Sequence, residues 1–330
     1  MAKRTDFRSE IKRLEQGIRV AWFINFAIIW VLVIAIGVVF GLSTRVSNAQ
    51  LAQEMLVFAG IGLVVALIIM AVVSGSAERI LLSAPAGDAV EVTNGQLKNI
   101  VEEMAIAAAL EQQPRVYILR GSGVCNAYAS ADSKGNSMVV VTEELLDLLN
   151  TREELEGVIA HEIGHIKTGD SQAMTKLVAL TSTTAIIGSM ASRMLFFGGG
   201  RRNSDSNNSN GTNPIAIVII VLSYIFLIAA PFLSKIAESY MSRERESRAD
   251  ASAVEFTRNP TGIAQALIAL ENGADHYGSK SEAKNFGETI GPVAFYNPSF
   301  AGLDLSSHPS TKKRVAALKA MGAQVDDSSL

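Results

Sequence analysis

The chain has 330 residues, 48% of them hydrophobic and 18% charged, with a formal net charge of −3. That length holds one large domain or two at roughly 150 residues each, and without a concentrated basic face it gives no reason to expect nucleic-acid binding. Cys125 is the only cysteine, so an intrachain disulfide and a thiolate metal cluster are both excluded, which suits a reducing compartment.

The charges are missing from particular stretches, so membrane and soluble parts are expected to alternate. Residues 1–19 form a basic tail, with Lys3, Arg4, Arg8, Lys12, Arg13 and Arg19 against three acids. Val20 to Leu42 carries no charge and is long enough to cross a bilayer as a helix. A cleavable signal peptide ending near Ser47-Asn48-Ala49 is the competing reading, but this run exceeds the ~7–15 residues of a signal core. Met55 to Gly75 is a second apolar run, and the two together make a transmembrane hairpin over residues 20–75. The positive-inside rule keeps the basic tail in the cytoplasm, and the hairpin returns the chain to that side.

Residues 76–176 have the composition of a soluble α/β segment. Asn99 to Leu110 shows helical apolar spacing that Pro114 breaks. Arg115–Arg120, Asn126–Ser130 and Met138–Val141 read as strands, the last two joined through a turn at Asp132–Asn136. Thr142 with Glu143 and Glu144 starts a short helix through Leu149. Thr151 and Glu154 then form a capping-box pattern ahead of Gly157-Val158-Ile159-Ala160-His161-Glu162-Ile163-Gly164-His165-Ile166. His161 and His165 are one turn apart and project from one face. Two neutral imidazoles at that spacing can hold one zinc ion, and Glu162 stands beside them to work on its water. Val158, Ile159, Ile163 and Ile166 take the core-facing positions. The alternative is an ordinary amphipathic helix with two solvated or core histidines. Against it, the chain has only four histidines, and two of them flank a Glu at this spacing.

Residues 177–234 form a second hydrophobic hairpin. Leu177 to Ser192 is apolar but rich in Thr, Ser and Gly, 198–214 is a low-complexity loop, and Ile215 to Leu233 is long enough to span, with Pro231 kinking its end. The chain then passes into a charged helix over 242–256, which opens the final segment 235–330. A catalytic zinc site takes three protein ligands and leaves one position open. Glu246 is the candidate third ligand, and Asp250, one turn on, would accept a hydrogen bond from a ligand imidazole. Read alone, that stretch is a weak signal, because a charged run is usually just a solvated helix face. His161 and Glu246 must meet on one side of the membrane, so an even number of crossings separates them.

These residues resemble an HtpX-type membrane zinc metalloprotease, in a group that also contains the CAAX prenyl proteases. The resemblance rests on Asn126-Ala127-Tyr128, on Val158 to His165, on Arg245-Glu246 with Ala249-Asp250, and on Ser307-His308-Pro309-Ser310-Thr311 followed by Arg314 and Leu318. Ser307 departs from the more usual Thr. The resemblance covers nearly the whole chain. It implies a mainly α fold with a small β-sheet, an α+β zincin-like peptidase domain in two parts (76–176 and 235–330) attached to about four transmembrane helices. It implies one catalytic Zn2+ held by His161, His165 and Glu246, with Glu162 as general base and Asp250 behind a ligand. Asn126 and Ala127 would lie on an edge strand where a peptide adds as a further strand. His308 and Arg314 would lie near the cleft, where a cation could stabilise the oxyanion; the bland readings are a helix cap and a surface charge. The partners implied are a protein or peptide substrate and the lipid bilayer, in a multi-pass protein of a bacterial-type inner membrane with its site facing the cytoplasm, serving protein quality control and the stress response. A catalytically inactive metal-binding scaffold and a prenyl-peptide processing protease are the alternatives. A transporter is disfavoured because the apolar runs carry almost no charge.

Overall fold

The computed structural model describes residues 48–76, 87–132, 135–176, 243–273 and 310–326, with scattered positions between 16 and 34 and residues 79, 81, 82, 178, 179, 294 and 295. The chain divides into two units, residues 1–76 with 179–236 and residues 77–178 with 237–330. In the first unit Asn48–Gly75 forms one helix, α1, of 28 residues. Within it Ala52–Val73 has a mean hydropathy of 3.1 over 22 residues. At 1.5 Å per residue that stretch covers the ~30 Å hydrocarbon core of a bilayer. Leu56, Val57, Val64, Ile68 and Val72 are all exposed, a surface suited to lipid. Trp30, from the preceding apolar run, donates its indole N–H to the Ala59 carbonyl at 2.9 Å, so the two runs lie side by side there. Among the described residues α1 is the one helix long and apolar enough to cross a membrane. Most of Val20–Leu42, nearly all of 177–234 and the loop 198–214 lie outside the described residues.

The second unit is mainly helical around a small mixed sheet. Its strands are β1 (Asp88–Glu91), β2 (Arg115–Arg120), β3 (Ala127–Ala131) and β4 (Ser137–Thr142), in the order β1-β2-β4-β3. β2 and β4 run parallel, while the outer pairs are antiparallel. β4 is buried along its whole length, because its unbroken Met-Val-Val-Val run suits a strand covered on both faces. β3 and β4 are joined where expected, through a turn closed by the Asp132 N–H on the Asn136 carbonyl at 2.8 Å, with Gly135 at φ 87. β1 was not foreseen. Its four residues are largely exposed and carry too little apolar character to read as a strand; pairing with β2 holds them.

The helices of this unit are α2 (Gln96–Ala107), α3 (Glu143–Leu148), α4 (Arg152–Lys167), α5 (Arg243–Thr257), α6 (Pro260–Gly273) and α7 (Thr311–Ala320). Thr142 caps α3 by accepting the Leu145 N–H, and Thr151 with Glu154 closes a full capping box on α4. α6 is additional to the elements expected from the sequence, and Asn259-Pro260 carries its signal: Asn259 Oδ1 accepts the Thr261 N–H at 3.1 Å, and Pro260 occupies the first helical position, where no N–H is required.

α4 is the central element, packed against α2, α5, α6 and β3. It is buried continuously from Gly157 to Gly164, more completely than an amphipathic pattern implies. Two glycines let α6 approach it at backbone distance. A Cβ on Gly157 would lie 2.6 Å from the Ile263 nitrogen and 2.7 Å from its Cα, and one on Gly262 would strike the Glu153 carbonyl. Neither obstacle is a side chain that can rotate away. Gly157→Ala should therefore destabilise the protein by about 3 kcal/mol, at the upper end of ordinary overpacking, read as a lowered Tm; a neutral Tm would mean that α4 and α6 separate at little cost.

Candidate metal centre

The buried α4 helix carries His161 (0% exposed) and Glu162 (1% exposed) into the interior, and α5 supplies Glu246 from the facing side. The Nε2 atoms of His161 and His165 are 3.2 Å apart. Glu246 Oε2 lies 3.6 Å from His161 Nε2, and its Oε1 lies 3.6 Å from His165 Nε2. A tetrahedral ion with bonds of about 2.0–2.1 Å needs donors roughly 3.3 Å apart. The donor set has that spacing and the nitrogen–oxygen chemistry that zinc takes. Glu162 adds a second sign, since both of its carboxylate oxygens are buried and neither has a hydrogen-bond partner among the described residues. A buried carboxylate without partners is costly, and a site that brings water and a cation beside it removes that cost. These residues fit a zinc ion.

Behind each imidazole stands a buried carboxylate, and each carboxylate faces a buried arginine. His161 Nδ1 is 2.9 Å from Asp250 Oδ1, and Arg314 grips Asp250 with Nη2 on Oδ1 at 2.6 Å and Nε on Oδ2 at 3.0 Å. Burial disfavours the ionised Asp250, yet Arg314 and His161 outweigh it and hold the carboxyl at about 2. Burial pushes the His161 imidazole down to about 4, although Asp250 opposes the shift, so the ring is neutral at pH 7, the form that ligates metal. On the other side His165 Nδ1 lies 3.7 Å from Asp170 Oδ2, an ion-pair distance rather than a closed hydrogen bond. Asp170 is tied in turn to Thr168 Oγ1 at 2.9 Å and to Arg245 Nε at 3.1 Å. With both Nδ1 atoms turned to carboxylates, both Nε2 atoms are left facing Glu246. Burial raises the Glu162 carboxyl to about 7, reinforced by Glu246 and opposed by His165, by the Ala129 amide and by Arg314; that amide faces the carboxylate without reaching hydrogen-bond geometry.

The remaining candidates are placed differently from what the sequence implied. Arg314 is neither a surface charge nor a free cation at the cleft. It is buried behind His161, with its donors on Asp250 and on the Phe295 carbonyl at 3.2 Å, and its guanidinium 4.8 Å from the centre of the Phe295 ring. Asn126 is buried, donates its backbone N–H to the Thr142 hydroxyl at 2.8 Å and accepts the Ala127 N–H on Oδ1 at 3.0 Å. Ala127 lies on the edge strand β3, as expected, but its outward carbonyl already accepts the Phe295 N–H at 2.8 Å. His308 lies outside the described residues. The sequence reading missed Asp170, Arg245 as its partner, and Phe295, whose ring stands edge-on to His161 at 4.9 Å. Asp170 follows the metal helix by a single turn, a position from which a carboxylate can reach back to it; Phe295 had no comparable signal.

Cys125 takes no part in this chemistry. Its thiol points at the Glu144 carbonyl at 3.4 Å, and burial, aided by Glu144 and Asp147, pushes it up to about 12. Maleimide or iodoacetamide should leave the native protein unlabelled at pH 8 and modify it once unfolded; rapid native labelling would contradict this placement.

The sequence profile of peptidase family M48 matches residues 91–322. The chain is 37% identical over 268 residues to the Protease HtpX homolog of Streptococcus pneumoniae serotype 4, covering 79% of this chain and 86% of that protein, and the same figures hold for the homolog from serotype 19F. Among solved structures it is similar to Ste24p of S. mikatae, with a TM-score of 0.40, 19% identity and coverage of 93% of this chain, spanning 65% of the other. With a family profile covering β2, β3 and β4, His161, His165, Glu246 and Arg314, the chain belongs to peptidase family M48.

Proposed function

We propose that this membrane metalloprotease is a zinc-dependent endopeptidase that hydrolyses peptide bonds of membrane or misfolded proteins, with its site facing the cytoplasm. His161, His165 and Glu246 hold one zinc ion, and Glu162 is the general base. The observation that carries this reading is the three-donor cluster with the partnerless Glu162 carboxylate against it. When bound, the ion supplies Lewis acidity, lowering the pKa of a coordinated water toward ~7 and polarising a carbonyl. The protein does the rest. Asp250 and Asp170 orient the two imidazoles. Glu162 takes the proton of the attacking water and returns it to the departing amine, a task suited to a carboxyl raised by burial. Arg314 fixes Asp250, and its charge also bears on Glu162.

The apolar runs at 20–75 and 177–234 make two transmembrane hairpins in this reading, about four helices in all, supported by α1 and by the Trp30–Ala59 bond. Both parts of the peptidase domain then lie on one side. Protein purified in detergent should carry one zinc per chain and cleave an unfolded protein. It should lose both properties to 1,10-phenanthroline and regain them with zinc. Stoichiometric zinc without cleavage would favour the inactive scaffold, and cleavage confined to prenylated peptides would favour the prenyl-processing reading.

A further inference from the structure

α5 braces both imidazoles, and it does so in two unlike ways. Asp250, one turn beyond Glu246, reaches His161 Nδ1 directly at 2.9 Å, and Arg314 holds that carboxylate through both of its oxygens. His165 takes its carboxylate from its own segment instead. Asp170, just past the turn at Gly169 (φ 77), presents Oδ2 to His165 Nδ1 at 3.7 Å. Asp170 is 5% exposed and Arg245 6%, and Arg245 Nε stands 3.1 Å from Asp170 Oδ1, the oxygen that does not face the ring. Thr168 Oγ1 lies 2.9 Å from Oδ2, but it is also 3.1 and 3.3 Å from the Gly164 and His165 carbonyls. A hydroxyl has one proton for those three acceptors. Among the described residues, Arg245 is therefore the guanidinium that balances the buried Asp170 and holds it in place.

We propose that Arg245 is a positioning residue of the metal centre: through Asp170 it sets the ring of His165, and with it how long the protein retains zinc. The inference rests on the zinc peptidase reading and deepens it. Arg245 and Glu246 are neighbours on α5, about 100° apart around its axis. Glu246 faces the two Nε2 atoms at 3.6 Å from each, while Arg245 works on His165 from behind, at Nδ1, through Asp170. With Asp170 held there, the His165 Nδ1–H has its acceptor and Nε2 keeps its lone pair for metal. Without Arg245 a buried carboxylate loses the charge that compensates its burial, and it gives up its place beside the ring. The Nε2–H tautomer then competes, with its proton where a ligand bond belongs. His165 is also the less enclosed imidazole, its side chain 14% exposed against 1% for His161. Its carboxylate stands farther off as well, so this side of the site depends most on its brace.

A double-mutant cycle tests this, read as the rate of zinc loss to excess chelator from the full-length holoprotein in detergent. Arg245→Gln and Asp170→Asn should each speed release on the order of tenfold. The two together should be no faster than Asp170→Asn alone, because Arg245 then has nothing left to act through. In an Asp250→Asn background Arg245→Gln should keep its whole effect, since that carboxylate serves the other ring. A brace that merely joined α4 to α5 would speed release by the same factor in every background. Multiplication of the two effects in the Asp170→Asn background would therefore overturn the proposal, as would an Arg245→Gln protein that releases zinc at the wild-type rate. If Arg245→Gln does not fold, the double variant, which removes both charges of the buried pair, is compared with Asp170→Asn by itself. Equal rates are then expected, and a further acceleration on the order of tenfold overturns the proposal. Wild-type protein that holds no zinc would sink the peptidase reading itself, whereas wild-type protein that holds zinc while its variants fail the cycle would sink this inference alone.

Discussion

Glu162→Gln should retain its zinc and lose on the order of 10²–10⁴ in kcat, the range of general acid–base catalysis. The substitution keeps size and shape, and Glu162 is not among the three clustered donors, so metal content should match wild type. It removes the carboxylate that, among the described residues, lies beside the cluster without a hydrogen-bond partner and is able to take a proton from water. The same substitution has a second, opposite expectation for stability. Burial raises the Glu162 carboxyl to about 7, above its usual value. The folded metal-free protein therefore favours the protonated form, and its stability falls as pH rises from about 4.5 through 7. Glutamine abolishes that contribution, so metal-free Glu162→Gln should melt higher than metal-free wild type at pH 8, with the difference closing toward pH 5. His161 shifts in the opposite sense but is common to both proteins and cancels in the comparison. Paired metal analysis, turnover and melting curves check the three statements. Loss of zinc together with activity would show that Glu162 acts on the metal site rather than on the proton.

The parts of this architecture that local chemistry writes were legible in the sequence. Thr151 and Glu154 announced the start of α4 because a capping box is a local pattern, and the His161–His165 spacing followed from helix periodicity. Glu246 and Asp250 were readable as one helical face for the same reason. What escaped has a common cause: its meaning depends on tertiary neighbours. Arg314 reads equally as a cation at the cleft and as a surface charge until α7 packs it onto Asp250. β1 is a strand only because β2 lends it hydrogen bonds, and Phe295 reaches His161 from far along the chain.

Asp250 joins the metal site to the fold, and its removal should separate two costs. Asp250→Leu leaves the Arg314 guanidinium buried and unpaired, an effect of about 3–5 kcal/mol, and it strips His161 of the carboxylate that orients its ring, which should weaken zinc affinity by about 10–100-fold. The first cost is electrostatic and belongs to the pair; the second belongs to the ligand. Adding Arg314→Met removes the stranded charge, and apolar replacement of a buried ion pair is often neutral in stability. The double variant should therefore recover most of the melting temperature of the metal-free protein while its zinc affinity stays low. Denaturation without metal, together with chelator competition for zinc, reads the two quantities separately. If the double variant regained zinc affinity along with stability, Asp250 would be a partner for Arg314 alone, and the tautomer of His161 would have to be set by another group.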